Sequence, residues 1–232
     1  MIRNLDEGDA RRLLGGAPIT LLTCSYKGKA NVMPVAYVMP LSIRPPLIAV
    51  AISPERYSYD VVHKSEEFAI NLPTRRLLHH VQFLGSVSGA DIDKLELTKL
   101  PSRRARRVNT VLLEGCVGWI ECGLEEEYEI GDHVLLVGRV VAAAVEEDAF
   151  SDHWLLQDED EKPLHYLGAN YYAVLEQVME ARVPKPAEEY ERNLQEAATE
   201  QLELSREAAE RREEEEAERE EFRRREGFSR PE

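Results

Sequence analysis

The chain has 232 residues, with 29 Lys or Arg against 44 Asp or Glu and a formal net charge of −15. That balance repels nucleic acid and anionic membrane surfaces, which argues against both as partners, and no apolar run approaches the roughly eighteen residues a membrane-spanning helix needs. The opening MIRNLDEGDARRLL is too charged for a signal peptide, and Cys24, Cys116 and Cys122 match no zinc spacing, so a cytoplasmic protein with reduced thiols is expected.

The last 48 residues, Lys185 to Glu232, differ from the rest: 10 basic against 17 acidic side chains, a net −7 that leaves −8 for residues 1–184. The expected organisation is one domain over 1–184 and a charged, helical or disordered tail over 185–232. A domain of that size buries roughly 70% of the surface of its unfolded chain. With 12 Pro, 13 Gly and many short apolar runs, it reads as mainly β with a few helices, a barrel or sandwich rather than a doubly wound sheet.

In chain order, the pattern predicts a helix over Asp6 to Leu14, a strand over Ile19 to Tyr26, a turn at Lys27 and Gly28, and a strand over Asn31 to Tyr37. The Pro45–Pro46 turn then leads into Leu47 to Ile52, an uncharged run that reads as a strand buried on both faces. Ser53 and Pro54 end it. Arg56 sits at the loop tip, and Ser58 is the expected N-cap of a helix over Tyr59 to Ser65. A strand over Phe68 to Leu72 follows, then a helix within Thr74 to Leu84, where Leu77, Leu78, Val81 and Leu84 have helical spacing. Later strands are expected over Val111 to Glu121, Glu125 to Ile130 and His133 to Val145. Trp154 to Leu156 reads as loop, and Tyr166 to Met179 closes the domain.

The loop Ser53-x-x-Arg56-x-Ser58 can be read in two ways. Its hydroxyls, its guanidinium and the free amides of a helix N-terminus form a plausible anion cradle. An ordinary strand-to-helix turn with an exposed arginine is the other reading. Charge-assisted hydrogen bonds contribute roughly 1.5 to 3 kcal/mol each, so two or three are a useful fraction of the roughly 8 kcal/mol behind micromolar affinity.

The wider set of motifs favours the cradle. Thr23-Cys24, Gly28-x-x-Asn31, Pro45-Pro46-Leu47, Ser53-x-x-Arg56-x-Ser58, Glu67-Phe68-x-x-Asn71, Asp93-Lys94, Gly131-Asp132-His133 and Pro163-Leu164, in this order, resemble the flavin reductase-like domain, the FMN-binding split barrel of flavoredoxins and of the reductase components of two-component flavin monooxygenases. The resemblance spans about Ala17 to Val178.

It implies a homodimer that binds FMN. Ser53, Arg56 and Ser58 would hold the phosphate and Lys94 would add a second cation. The strand containing Asn31, Met33, Pro34, Val35 and Ala36 would run along the flavin ring, and Asn71 would reach the ribityl chain or the ring. NADH or NADPH is implied as electron donor and an acceptor protein or monooxygenase as partner. No metal and no catalytic side chain is required, because the flavin carries the chemistry.

The histidines are weighed separately. Adjacent His79 and His80 diverge on a helix and read as exposed, His133 reads as a core or rim residue, and His165 is the candidate for the flavin pocket. The family's Gly-Arg-Tyr-His type ending is replaced here by Gly168-Ala-Asn-Tyr171, which weakens the case for a nicotinamide donor. A passive FMN carrier is therefore retained beside the reductase reading. Cys24 is expected in the core, and the cluster Arg103, Arg104, Arg106 and Arg107 in an exposed loop near the site.

In the tail, Glu188 to Arg225 is rich in helix formers and in Glu-to-Arg pairs four apart, such as Glu207 with Arg211 and Glu221 with Arg225. Tyr190, Leu194, Leu202 and Leu204 hint at an apolar stripe without a heptad seam. A third reading makes this tail the working part of an interaction scaffold.

Overall fold

Strand alternation explains the architecture. The computed structural model describes residues 4–181, 194–202 and 204–206. Along β1 (Thr20–Tyr26) successive side chains enter different cores: Leu21 joins a cluster with Val32, Leu84, Trp119 and Leu164, while Leu22 joins one with Phe68, Ile70, Val50 and Leu136. Both faces are covered, so every residue of the strand but Tyr26 is buried, Thr20, Thr23 and Ser25 included.

Seven strands form one sheet in the order β2-β1-β5-β8-β9-β4-β3, with β2 Lys29–Val35, β3 Val38–Ser42, β4 Leu47–Ile52, β5 Glu67–Pro73, β8 Cys116–Ile130 and β9 His133–Val145. The two edge strands, β2 and β3, are neighbours in the chain, separated only by Ala36 and Tyr37. The Ala51 amide donates to the Tyr37 carbonyl at 2.9 Å across that junction. The sheet therefore curls until its edges nearly meet, a split barrel. Inside it a Cβ at Gly138 would lie 2.4 Å from Phe68 Cζ, so only glycine admits the ring.

Most expected elements are present, with instructive shifts. The first helix is a 3-10 helix over Glu7–Leu14. Lys27 and Gly28, with φ of 51° and 80°, make the tight turn that joins β1 to β2. Val111 to Glu121 is two strands, β7 (Val111–Leu113) and the start of β8, because Glu114 and Gly115 (φ 77°) turn the chain between them. Glu125 to Ile130 continues β8 without a break. Tyr166 to Met179 contributes β10 (Leu164–Gly168) and β11 (Tyr171–Val174), a separate two-stranded sheet, as is β6 (Ser102–Arg104) with β7. Helices α1 (Tyr57–Ser65), α2 (Leu78–Ser86) and α3 (Lys94–Thr98) complete the fold.

The chain divides into two compact units, Met1–Val178 and Met179–Glu232. The expected boundary at 184 and 185 lies outside the described residues, as do Tyr190 and the Glu-to-Arg pairs of the tail. In the second unit residues 194–202 are helical, and Leu194, Leu202 and Leu204 are exposed. No helix among the described residues is long and apolar enough to cross a membrane.

Candidate cofactor-binding site

The seam between β2 and β3 is where the barrel opens, and a cleft of about 880 Å3 lies there, within the size range of small-molecule sites. One wall is the end of β2 and its exit, Met33 to Tyr37. A second is the end of β4 with the following loop and the first turn of α1, Ala51 to Ser58. The third is the end of α2 with Ser86 to Gly89, Asp91 and Lys94, and Arg11, Asp132, His133 and Tyr166 stand at the remaining edge.

Of the residues picked from sequence, Met33, Pro34, Val35, Ala36, Ser53, Arg56, Ser58 and Lys94 all line this cleft. Their convergence follows from the topology. β4 delivers Ser53 at its end, and the Arg56 amide donates to the Ser53 carbonyl at 3.0 Å, folding the loop back. The helix α1 starts at Tyr57, two residues earlier than expected, with Arg56 in extended conformation at its N-cap position. Ser58 is thus not the cap. It sits in the first turn, and its hydroxyl accepts a hydrogen bond from Asn31 Nδ2 at 2.7 Å. In this first turn the Tyr59 amide donates to the Arg56 carbonyl at 2.8 Å, and the N-terminal end of the helix carries partial positive charge.

Lys94 enters from the opposite wall. Asp93 caps α3, accepting from the amides of Leu95 and Glu96 at 3.1 and 3.0 Å. The motif Asp93-Lys94 is thereby a helix start that aims the lysine inward. Lys94 is only 4% exposed, and its Nζ donates to the Leu84 carbonyl at 2.7 Å. Burial, reinforced by the nearby Arg56 charge, lowers its pKa to about 8. An ammonium that is buried, beside another cation and bonded to one carbonyl has donors to spare, and an anion is the partner that satisfies both.

Asn31 and Asn71 do not line the cleft. Asn31 lies directly behind it, 3% exposed, bracing Ser58. Gly89 is pressed against it, for a Cβ there would fall 2.0 Å from Asn31 Oδ1 and 2.9 Å from Tyr57 Cδ1. Asn71 is fully buried, and its amide is spent: Nδ2 donates to the Leu21 carbonyl and Thr23 Oγ1, and Oδ1 accepts from the Leu113 amide. It ties three strands together from outside the cleft lining.

Of the histidines, His133 stands at the rim, one of its two expected places, while His165 lies outside the cleft lining. His165 Nδ1 pairs with the Gly16 carbonyl at 2.7 Å and is not a lining residue. His133 is one, its Nδ1 2.7 Å from Asp132 Oδ1 and its ring 5.7 Å from that of Tyr37. The hydrogen bond and charge of His133 hold the Asp132 carboxyl below its usual range. Of the adjacent pair, His79 is exposed as expected while His80 is half-buried. Cys24 is in the core, its pKa pushed up to about 12 by burial, and Arg103, Arg104, Arg106 and Arg107 do not reach the cleft.

Sequence reasoning overlooked the segment Leu84 to Asp91. The two glycines in LGSVSGAD were the available signal: Gly85 lets α2 approach β2, since a Cβ there would lie 3.1 Å from Pro34 Cγ, and Gly89 seats against Asn31. Arg11 carried no signal, because only the fold brings it to the rim.

Comparisons with known proteins bear on the fold and the family. A protein of Archaeoglobus fulgidus is 36% identical over 133 residues, 57% of this chain and 75% of the relative. Escherichia coli YddH is 30% identical over 173 residues, 70% of this chain and 89% of that protein. Among solved structures, an FMN-binding protein from Thermus thermophilus with bound p-hydroxybenzaldehyde superposes with a TM-score of 0.67 at 26% identity, covering 78% of this chain and 99% of that one. The family model described as the flavin reductase like domain matches residues 14–174. The chain belongs to the flavin reductase like domain family.

Proposed function

We propose that this protein binds FMN in the cleft and passes electrons from NADH or NADPH to an acceptor, as a reductase of the family to which it belongs. The observation that carries the reading is that two cations line one cleft, Arg56 on the loop after β4 and buried Lys94 on another wall, together with Ser53 and Ser58. Phosphate monoesters are dianionic near neutral pH, and two cations with hydroxyls and a helix N-terminus suit that charge.

In this reading Met33 to Ala36 run beside the flavin ring and offer backbone groups to it, while Asn31 acts from behind by holding Ser58. When bound, FMN supplies two-electron chemistry at its ring system. The protein residues bind, orient and shield it.

A second copy of the chain completes the site in this proposal. The edge strand β3 carries exposed Met39 and Leu41, and Ile43 beyond it is 87% exposed. An isologous partner is the commonest way to cover such an edge.

The carrier reading retains one specific support. Ala169 and Asn170 form the turn between β10 and β11, and no histidine from this hairpin lines the cleft. The deciding experiment is anaerobic mixing of the FMN-loaded protein with NADH or NADPH while the flavin absorbance is followed. Bleaching at useful rates supports the reductase; persistent colour with both nucleotides overturns it in favour of a carrier.

A further inference from the structure

Four arginines, Arg103, Arg104, Arg106 and Arg107, crowd into five positions of a chain whose net charge is −15. All four are exposed. The backbone beneath them is unusually well held. The Ala105 amide donates to the Thr110 carbonyl, those of Arg106, Arg107 and Val108 donate to the carboxylate of Glu121 at 3.0, 2.6 and 3.2 Å, and that of Asn109 to Glu67 Oε2 at 2.7 Å. Five consecutive amides are bonded, and Glu121 is itself only 3% exposed.

The side chains are treated differently. Arg103 lies over the Trp119 ring at 4.7 Å. The guanidinium groups of Arg104, Arg106 and Arg107 form no hydrogen bond or ion pair among the described residues, although the chain has 44 acidic side chains to offer. The carboxylates of Glu121 and Glu67 are turned to its amides. A solvated charge run has no need of such a scaffold, whereas a loop whose backbone is already held gives up little backbone entropy when its side chains are engaged.

We propose that this loop is a docking surface for an acidic face of a partner protein. Ionic attraction acts within about 8 Å at physiological salt, so a partner that presents a few carboxylates to the loop feels the arginines more than the net charge of the whole chain. A nucleic acid extends its phosphates well beyond three adjacent side chains and meets that negative charge. None of the four arginines lines the cleft, so docking leaves the cofactor site open.

The test uses the full chain with Trp154→Phe, which leaves Trp119, under Arg103, as its only tryptophan. Poly-L-glutamate is titrated at low ionic strength while Trp119 fluorescence is followed. The expected result is saturable binding that weakens with salt and falls at least tenfold in the triple variant Arg104→Ala, Arg106→Ala, Arg107→Ala. The single charge reversal Arg106→Glu provides a second, milder variant, and the melting temperature reports folding in each. Undiminished binding by both variants, or tighter binding of wild type to duplex DNA of equal charge than to poly-L-glutamate, would overturn the proposal.

Discussion

Asn31 Nδ2 donates to Ser58 Oγ at 2.7 Å, joining β2 to the first turn of α1 across 27 residues of sequence. The bond lies behind the cleft and sets where the loop from Ser53 to Ser58 stands relative to the β2 wall. Asn31→Ala leaves the Ser58 hydroxyl buried without this donor, at a cost of about 1 to 3 kcal/mol. We predict a lower melting temperature together with weaker FMN binding, although the residue is not among those that line the cleft. A variant of normal affinity would show that the loop holds its position without the brace.

Through Lys94, FMN affinity is predicted to depend on pH. Its pKa in the free protein is lowered from 10.5 to about 8, first by burial and then by Arg56. Between those values the unfolded chain binds the extra proton, so the free protein gains stability as pH rises through that window. A phosphate dianion favours the ammonium and restores the proton. FMN binding is therefore predicted to take up protons above about pH 8 and to weaken as pH rises further, measured by calorimetry in buffers of different ionisation enthalpy. In Lys94→Met the proton uptake disappears.

Gly89→Ala tests the packing of the overlooked wall. The new methyl has to displace Asn31 or the Tyr57 ring, and overpacking of this kind costs roughly 1 to 3 kcal/mol. We expect weaker FMN binding as well as reduced stability, since both displaced groups belong to the site or its brace. Binding and melting both equal to wild type would mean that the wall yields freely.

Asn71 separates architecture from ligand binding. Asn71→Ala removes an amide that serves β1 on one side and the Leu113 amide of β7 on the other, leaving buried groups unpaired at about 1 to 3 kcal/mol each. Urea denaturation is expected to show a large loss of stability, with FMN affinity of the folded protein nearly unchanged. A selective loss of affinity at normal stability would return Asn71 to the site.

How much was legible in the sequence follows from the range of the interactions. The apolar strand β4, the turn at Lys27 and Gly28, the strand β9 and the loop with Ser53 and Arg56 are determined by neighbours a few residues away, and all were readable. Ser58 was misassigned because a serine ahead of a helix suggests a cap, whereas its hydroxyl is claimed by Asn31 on another strand. The structural role of Asn71 was hidden for the same reason, its partners being 42 to 50 residues distant. His165, the expected pocket histidine, lies outside the cleft lining because the curl of the sheet, which no local pattern shows, turns His133 and not His165 to the seam. The split between β7 and β8 had a local sign, Gly115 between two apolar segments, that the run of apolar residues concealed.

The account turns on the phosphate end of the cleft. Arg56→Ala is predicted to weaken FMN binding at least tenfold, the roughly 1.4 kcal/mol near the low end for a charge-assisted hydrogen bond. The most direct measurement is fluorescence titration of the flavin-free protein with FMN and with riboflavin, which differ only in the phosphate. Tighter binding of FMN by tenfold or more, largely abolished in Arg56→Ala, is the predicted result; equal affinity of the wild-type protein for the two flavins would contradict the account.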